Sequence, residues 1–134
     1  MYSYEVQLRV RYADTDQMGY VYYGNYAAYY EVARVESFRN LGFAYKQLED
    51  EGVMMPVLEL KTKYHKPALY DDLLTIKVTI PEMPRVKIKY DYQIFNESSD
   101  LLNTGETLLA FVKMENGRPT RLPQKMEELL KPYF

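Results

Sequence analysis

An α+β domain, in which an antiparallel sheet of five strands buries one face under a single long helix, is what this sequence predicts. Three observations carry the prediction. Apolar and polar residues alternate with a period of two in separate stretches along the chain, one stretch alone has helical spacing, and turn-forming residues fall between them. With 134 residues the chain is long enough for one real core and too short for two, so residues 1–134 are expected to form one domain.

The elements follow in order. Val6, Leu8, Val10 and Tyr12 alternate with Glu5, Gln7, Arg9 and Arg11, the rhythm of a strand with one wet face. From about Asn25 to Leu41 the period changes: Ala27, Tyr30, Arg34, Phe38 and Leu41 recur at helical spacing, Asn25 is placed to cap the start, and Gly42 stands where a C-terminal cap belongs. That is a helix of roughly 17 residues, about 25 Å long at 1.5 Å per residue. A short second helix is expected over Tyr45–Glu51. Strand rhythm then returns at Leu58–His65, at Leu73–Ile80 and at Val86–Ile94, and a long, mostly apolar run extends from Leu101 to Met114. PALYDD, PEMP and NESSD supply the turns between these strands. A third helix is expected over Pro123–Leu130. A β-barrel would leave the tyrosine-rich helix nothing to cover, so the wrapped helix is preferred.

Composition excludes several functions. A formal charge of -2 argues against nucleic-acid binding, which needs a basic surplus, so any anionic ligand must meet a local basic patch. The absence of cysteine removes disulfides, thiol nucleophiles and thiolate metal sites, and it fits a reducing cytoplasm. The opening MYSYEVQLRV reads neither as a signal peptide nor as a membrane span. A soluble, cytoplasmic protein with no membrane partner is expected.

The stretch RYADTDQMGYVYYGNYAAYYEVAR, from Arg11 to Arg34, places two carboxylates before the helix. A carboxylate beside apolar surface is costly unless something solvates it or a reaction uses it. Aspartate and threonine also populate strand-to-helix turns simply by bonding nearby amides, which is the plain structural alternative. Asp14, Asp16 and Gly19 match three positions of a calcium loop, but Met18 and Asn25 fall where that loop needs an oxygen ligand and a bidentate glutamate. One histidine without cysteine does not make a zinc site, no serine lies in a GxSxG setting, and glycine-rich phosphate loops are missing. What remains is a carboxylate beside a helix N-terminus. Free N–H groups of a first helical turn can hold a carbonyl oxygen as it becomes an oxyanion, while the carboxylate attacks the carbonyl or draws a proton from water. Aspartate is a weak base, with a reference pKa of about 3.9, so the acceptor should be more electrophilic than an amide; a thioester is.

The run from Arg11 to Phe43, RYADTDQMGYVYYGNYAAYYEVARVESFRNLGF, resembles the opening motif of hotdog-fold acyl-CoA thioesterases, the group that includes 4-hydroxybenzoyl-CoA thioesterase. The resemblance continues into YHKPALYDDLLTI and covers essentially the whole chain. It implies a hotdog fold and hydrolysis of an acyl-CoA or acyl-carrier-protein thioester without metal or cofactor. The second aspartate of the motif, Asp16, is then the nucleophile or the base that activates water, and Asp14 belongs to the turn. The backbone N–H holding the carbonyl oxygen falls on Tyr23. Many members carry histidine there, whereas the 4-hydroxybenzoyl-CoA branch carries tyrosine. The resemblance further implies a homodimer with its sheets joined edge to edge, often paired again into a tetramer.

Coenzyme A brings phosphates, for which Arg85, Lys87 and Arg121 are candidates, although Lys87 and Lys89 also fit a solvated strand face. Tyr20 and Tyr26 are candidates for the acyl pocket because they lie near Asp16 in the chain; most of the 15 tyrosines belong to core or interface. His65, the only histidine, lies on the polar phase of a strand and is expected at the surface. Its position argues against an acyl thioester dehydratase, which would need a histidine early in the helix. A non-catalytic acyl-thioester or metabolite-binding module is the alternative reading.

Overall fold

Leu74, Ile76, Val78 and Ile80 are each at most 1% exposed, and the residues between them are half-buried. That alternation is the pleat of a central strand with one face on the core. The computed structural model describes residues 1–134. Its strands are β1 (Tyr2–Arg9), β2 (Val53–Met54), β3 (Val57–Tyr64), β4 (Leu73–Ile80), β5 (Lys87–Phe95), β6 (Leu101–Ala110) and β7 (Val112–Lys113). Its helices are α1 (Tyr26–Asn40), α2 (Lys46–Asp50) and α3 (Gln124–Leu130). Five strands form an antiparallel sheet in the order β1-β4-β5-β6-β3, and the sheet curls around α1: this is the hotdog fold.

Tyrosine joins helix to sheet. Tyr30 of α1 stacks on Tyr92 of β5 with ring centroids 4.2 Å apart. Tyr30 Oη donates to Asn103 and bonds Thr62 Oγ1 at 2.9 Å, Tyr92 Oη bonds Thr107 Oγ1 at 2.6 Å, and Tyr45 and Tyr90 share a bond of 2.8 Å between hydroxyls. Each ring thus removes apolar area from water while its hydroxyl keeps a partner. Gly105 in β6 makes this possible, because a Cβ there would fall on the Tyr30 ring and hydroxyl.

Several elements depart from the sequence reading. The first strand runs over Tyr2–Arg9 rather than Glu5–Tyr12, because Tyr12–Asp14 tightens into a single helical turn and leaves Tyr12 79% exposed. The helix ends as read: Gly42 has φ +90°, its N–H reaches Arg39 O at 3.0 Å, and Phe43 N–H reaches Phe38 O at 2.9 Å. Its start differs. Tyr23–Asn25 forms a tight turn leading into α1, and Asn25 does not cap, since its Nδ2 donates instead to Asp14 O at 2.9 Å. The rhythm at Leu58–His65 implies a strand with one buried face, but β3 is exposed on both phases except at Thr62, because α1 lies mainly against β1 and β4 at the other end of the sheet. The last apolar run breaks after Ala110, and its tail, β7, pairs with β2 in a separate two-stranded sheet. No helix is long and apolar enough to cross a membrane.

Candidate active site

The site is built where two distant loops meet at the start of α1. Asp16 closes a tight turn with Gly19, whose N–H donates to Asp16 O at 3.0 Å; Gly19 has φ +76°, a conformation open to glycine and strained for most other residues. The chain then returns alongside itself, with Asp16 N–H donating to Tyr20 O at 2.8 Å. The second loop, residues 65–72, is laid against the first. Val21 N–H reaches Ala68 O at 2.8 Å and Tyr70 N–H reaches Gly19 O at 3.3 Å, while Val10 and Asp72 bond at 2.9 Å on the other side. The two sequence motifs, far apart in the chain, therefore form one wall.

Asp14 and Asp16 differ sharply, although they are two residues apart. Asp14 is 7% exposed and saturated: its carboxylate accepts from Arg11 N–H at 3.2 Å, from Arg11 Nη2 at 3.1 Å and from Tyr29 Oη at 3.0 Å. Burial pushes this carboxyl up, but the Arg11 and Tyr29 hydrogen bonds, with the Arg11 charge, outweigh burial and hold it below the usual carboxylate value. Asp16 is half-buried. Its Oδ1 accepts from Met18 N–H at 2.9 Å and Tyr20 N–H at 3.3 Å, and its Oδ2 accepts no hydrogen bond from the protein.

Asp16, Tyr20, Tyr23 and Tyr26 border one cavity of about 280 Å³ with Met18, Val21, Tyr64, His65, Lys66 and Pro67. The main-chain N–H groups of Tyr23 and Gly24, at the helical entry, find no acceptor within the protein. Tyr64 Oη donates to Tyr23 O at 3.1 Å and so orients the peptide between Tyr23 and Gly24. A carboxylate oxygen, unpaired main-chain donors and a mostly apolar wall thus share one end of the molecule. A larger hollow of about 460 Å³ lies on the outer sheet face among Lys61, Lys63, Lys77, Asp91 and Glu106. Its lining holds a single hydrophobic residue and belongs to the wet side of the sheet, whereas the smaller cavity combines a mostly hydrophobic set of residues with a few polar groups, the usual make-up of a ligand site.

The phosphate candidates stand elsewhere. Arg85 and Arg121 are neighbours, through Leu122 N–H to Arg85 O at 2.7 Å, and Arg121 is paired with Glu127 at 2.8 Å. Neither they nor Lys87 borders the cavity. His65 is exposed, as expected, with Nε2 bonded to Thr104 Oγ1 at 3.0 Å, but it and Lys66 also form part of the cavity wall. Sequence reasoning passed over Lys66 and Tyr64; the only signal was that YHKP precedes a loop whose partner loop is distant in the chain. No group of three or more His, Cys, Asp or Glu side chains is assembled so as to hold a metal ion.

The fold is that of the hotdog class. A profile of the Thioesterase-like superfamily matches residues 10–130, and the chain belongs to that family. It is 35% identical to the acyl-CoA thioester hydrolase YbgC of Escherichia coli over 119 residues, 89% of either chain. It is 37% identical to the YneP protein of Bacillus subtilis over 101 residues, covering 75% of this chain and 73% of that one. The crystal structure of a DHNA-CoA thioesterase from Staphylococcus aureus superposes with a TM-score of 0.91 at 35% identity, over 99% of this chain and 89% of that one.

Proposed function

We propose that this chain hydrolyses acyl-CoA thioesters to the free acid and CoA, with Asp16 as the reacting carboxylate and the Tyr23 N–H as the donor that holds the carbonyl oxygen. One observation carries the reading: Asp16, with Oδ2 free, and Tyr23, whose amide is unpaired, border a single cavity, with the unpaired Gly24 amide next in the chain. A thioester carbonyl placed there develops negative charge on oxygen as it is attacked, and the helix-start amides stabilise that charge more than they do the ground state. Met18 and Tyr20 N–H hold Oδ1, so the carboxylate presents Oδ2 in a fixed direction. Oδ2 either bonds to the carbonyl carbon, expelling thiolate and leaving an anhydride for water to open, or takes a proton from the water that attacks. Tyr20, Tyr26 and Met18 line the acyl side. Arg85, Lys87 and Arg121 can meet the CoA phosphates only outside this cavity.

Asp16→Asn keeps the Oδ1 contacts and removes the charge. Its expected effect is a fall in kcat of roughly 100-fold or more, the scale of a lost acid–base or nucleophilic group. Thiol release from a panel of acyl-CoAs measures it, and a variant working at the wild-type rate overturns the reading. Single-turnover hydrolysis in ¹⁸O water identifies the anhydride route when water opens the anhydride at the Asp16 carbonyl, because only then does solvent oxygen enter Asp16.

We further infer that the bare edge of β3 pairs with a second copy. The outer edge of this eight-residue strand has no partner strand, and Val57, Leu58 and Leu60 are each nearly half exposed along it. Such an edge is normally covered or blunted. Light scattering should return the mass of a dimer or of a pair of dimers; a monomer at working concentration rejects the pairing.

A further inference from the structure

Asp14 is one residue with two jobs at two ends. Its main-chain oxygen accepts from Tyr22 N–H at 2.9 Å and from Asn25 Nδ2 at 2.9 Å, so it ties down the segment that carries the unpaired Tyr23 and Gly24 amides. Its carboxylate accepts from Tyr29 Oη at 3.0 Å, one turn into α1. Between Asp14 and Asp16 stands only Thr15, whose Oγ1 donates to Tyr12 O at 2.7 Å and whose backbone bridges Val21. The carboxylate of Asp16 and the helix-start donors are thus separated by a frame with Asp14 at its corner. Tyr29 is 6% exposed and packs edge-on against the cavity residue Tyr26, with centroids 5.9 Å apart. The remaining charge facing Asp14 is the Arg11 guanidinium, whose side chain is largely in solvent.

We propose that Asp14 and Tyr29 form a positioning clamp that sets the distance between the Asp16 carboxylate and the oxyanion-holding amides of Tyr23 and Gly24. The clamp touches no substrate. It acts through geometry, and displacement by about 1 Å at a reacting centre costs as much as 100-fold in rate. The Asp14–Arg11 ion pair is exposed on the arginine side and contributes little to that geometry. This inference rests on the Asp16 reading above, and its test carries a readout that does not.

Tyr29→Phe removes one hydroxyl and keeps the ring. The expected result is a fall in kcat of about 10-fold with KM for acyl-CoA within about twofold, together with faster amide exchange over residues 16–25. Asp14→Asn, which keeps an acceptor for Tyr29, should retain more activity than Asp14→Ala, and Arg11→Met should keep kcat within about twofold. Ser37→Ala is the control for mere destabilisation: Ser37 is buried, its Oγ donates to Arg34 O at 2.6 Å, and it lies outside the site. It should lower the melting temperature about as Tyr29→Phe does and leave both kcat and exchange over 16–25 unchanged. Wild-type kcat and exchange in Tyr29→Phe, or equal losses in Ser37→Ala, overturn the clamp. If wild-type turnover does not depend on Asp16, the functional reading falls and the exchange comparison alone decides the clamp.

Discussion

The interior beneath α1 and the cavity at its N-terminus are built from the same residue type, and they treat it in opposite ways. Under the helix, Tyr30, Tyr90 and Tyr92 are at most 1% exposed, and every hydroxyl is bonded to a neighbour. At the cavity end, Tyr20, Tyr22 and Tyr23 are 39%, 45% and 65% exposed, while a carboxylate oxygen and two main-chain amides are left without partners. A saturated polar network specifies one packing and resists change, because breaking any bond strands a buried group. Unpaired groups at an open cavity do the reverse: they give up stability in order to meet a ligand. Asp14 and Asp16 repeat the contrast on the scale of two residues.

Alkaline pH should break the contrast most severely, from the interior side. Burial raises the hydroxyl pKa of Tyr29, Tyr30, Tyr45, Tyr90 and Tyr92, with Tyr30 pushed up to about 12 and Tyr90 well above its ordinary value. The unfolded chain ionises these phenols near pH 10 and the folded one holds their protons longer. Stability from them is therefore complete below about pH 10 and is lost as pH rises toward the folded values, by about 1.4 kcal/mol per pH unit for each such group. The share of the absorbance change near 295 nm that belongs to these five phenols should coincide with the loss of circular dichroism above pH 10; their ionisation in a protein that keeps its circular dichroism would contradict it. Asp16→Asn sharpens the comparison from the other side. Its large loss of turnover should come with a melting temperature within about 2 °C of the wild type, since the substitution keeps the Oδ1 contacts and removes no buried contact. The smallest expected effect belongs to Tyr23→Phe, whose kcat should stay within about twofold because the backbone donor is unchanged. A large loss there would assign the hydroxyl a part in the chemistry.

Much of this was legible in the sequence because it is periodic or local. Leu74 to Ile80 and Ile88 to Ile94 show the pleat directly, Gly42 marks the end of α1, and the carboxylate pair stands directly before the helix. Other features were not legible, for identifiable reasons. β3 has the alternation of a half-buried strand but lies at the end of the sheet that α1 covers least, and which strands a helix covers is a property of the whole sheet rather than of the strand. β2 and β7 have two residues each, too few for any period. Asn25 has the composition of a cap, yet the carbonyl of Asp14 competes for its side chain across a gap of 11 residues. The site shows the same division. Asp16 and Tyr23 lie within one local motif, whereas Tyr64, His65 and Lys66 reach the cavity only because loop 65–72 folds back on residues 19–21.

The hydrogen bond from Tyr64 to the Tyr23 carbonyl couples two parts of the molecule that are usually considered apart. Tyr64 is the last residue of the edge strand β3, and the peptide plane it grips ends in the Gly24 N–H. Because that plane is rigid, a neighbour laid along the strand would brace the phenol and, through it, the aim of an unpaired amide at the start of the helix. Assembly and turnover would then be adjusted by one side chain, with the sheet margin acting as a lever on the helix mouth.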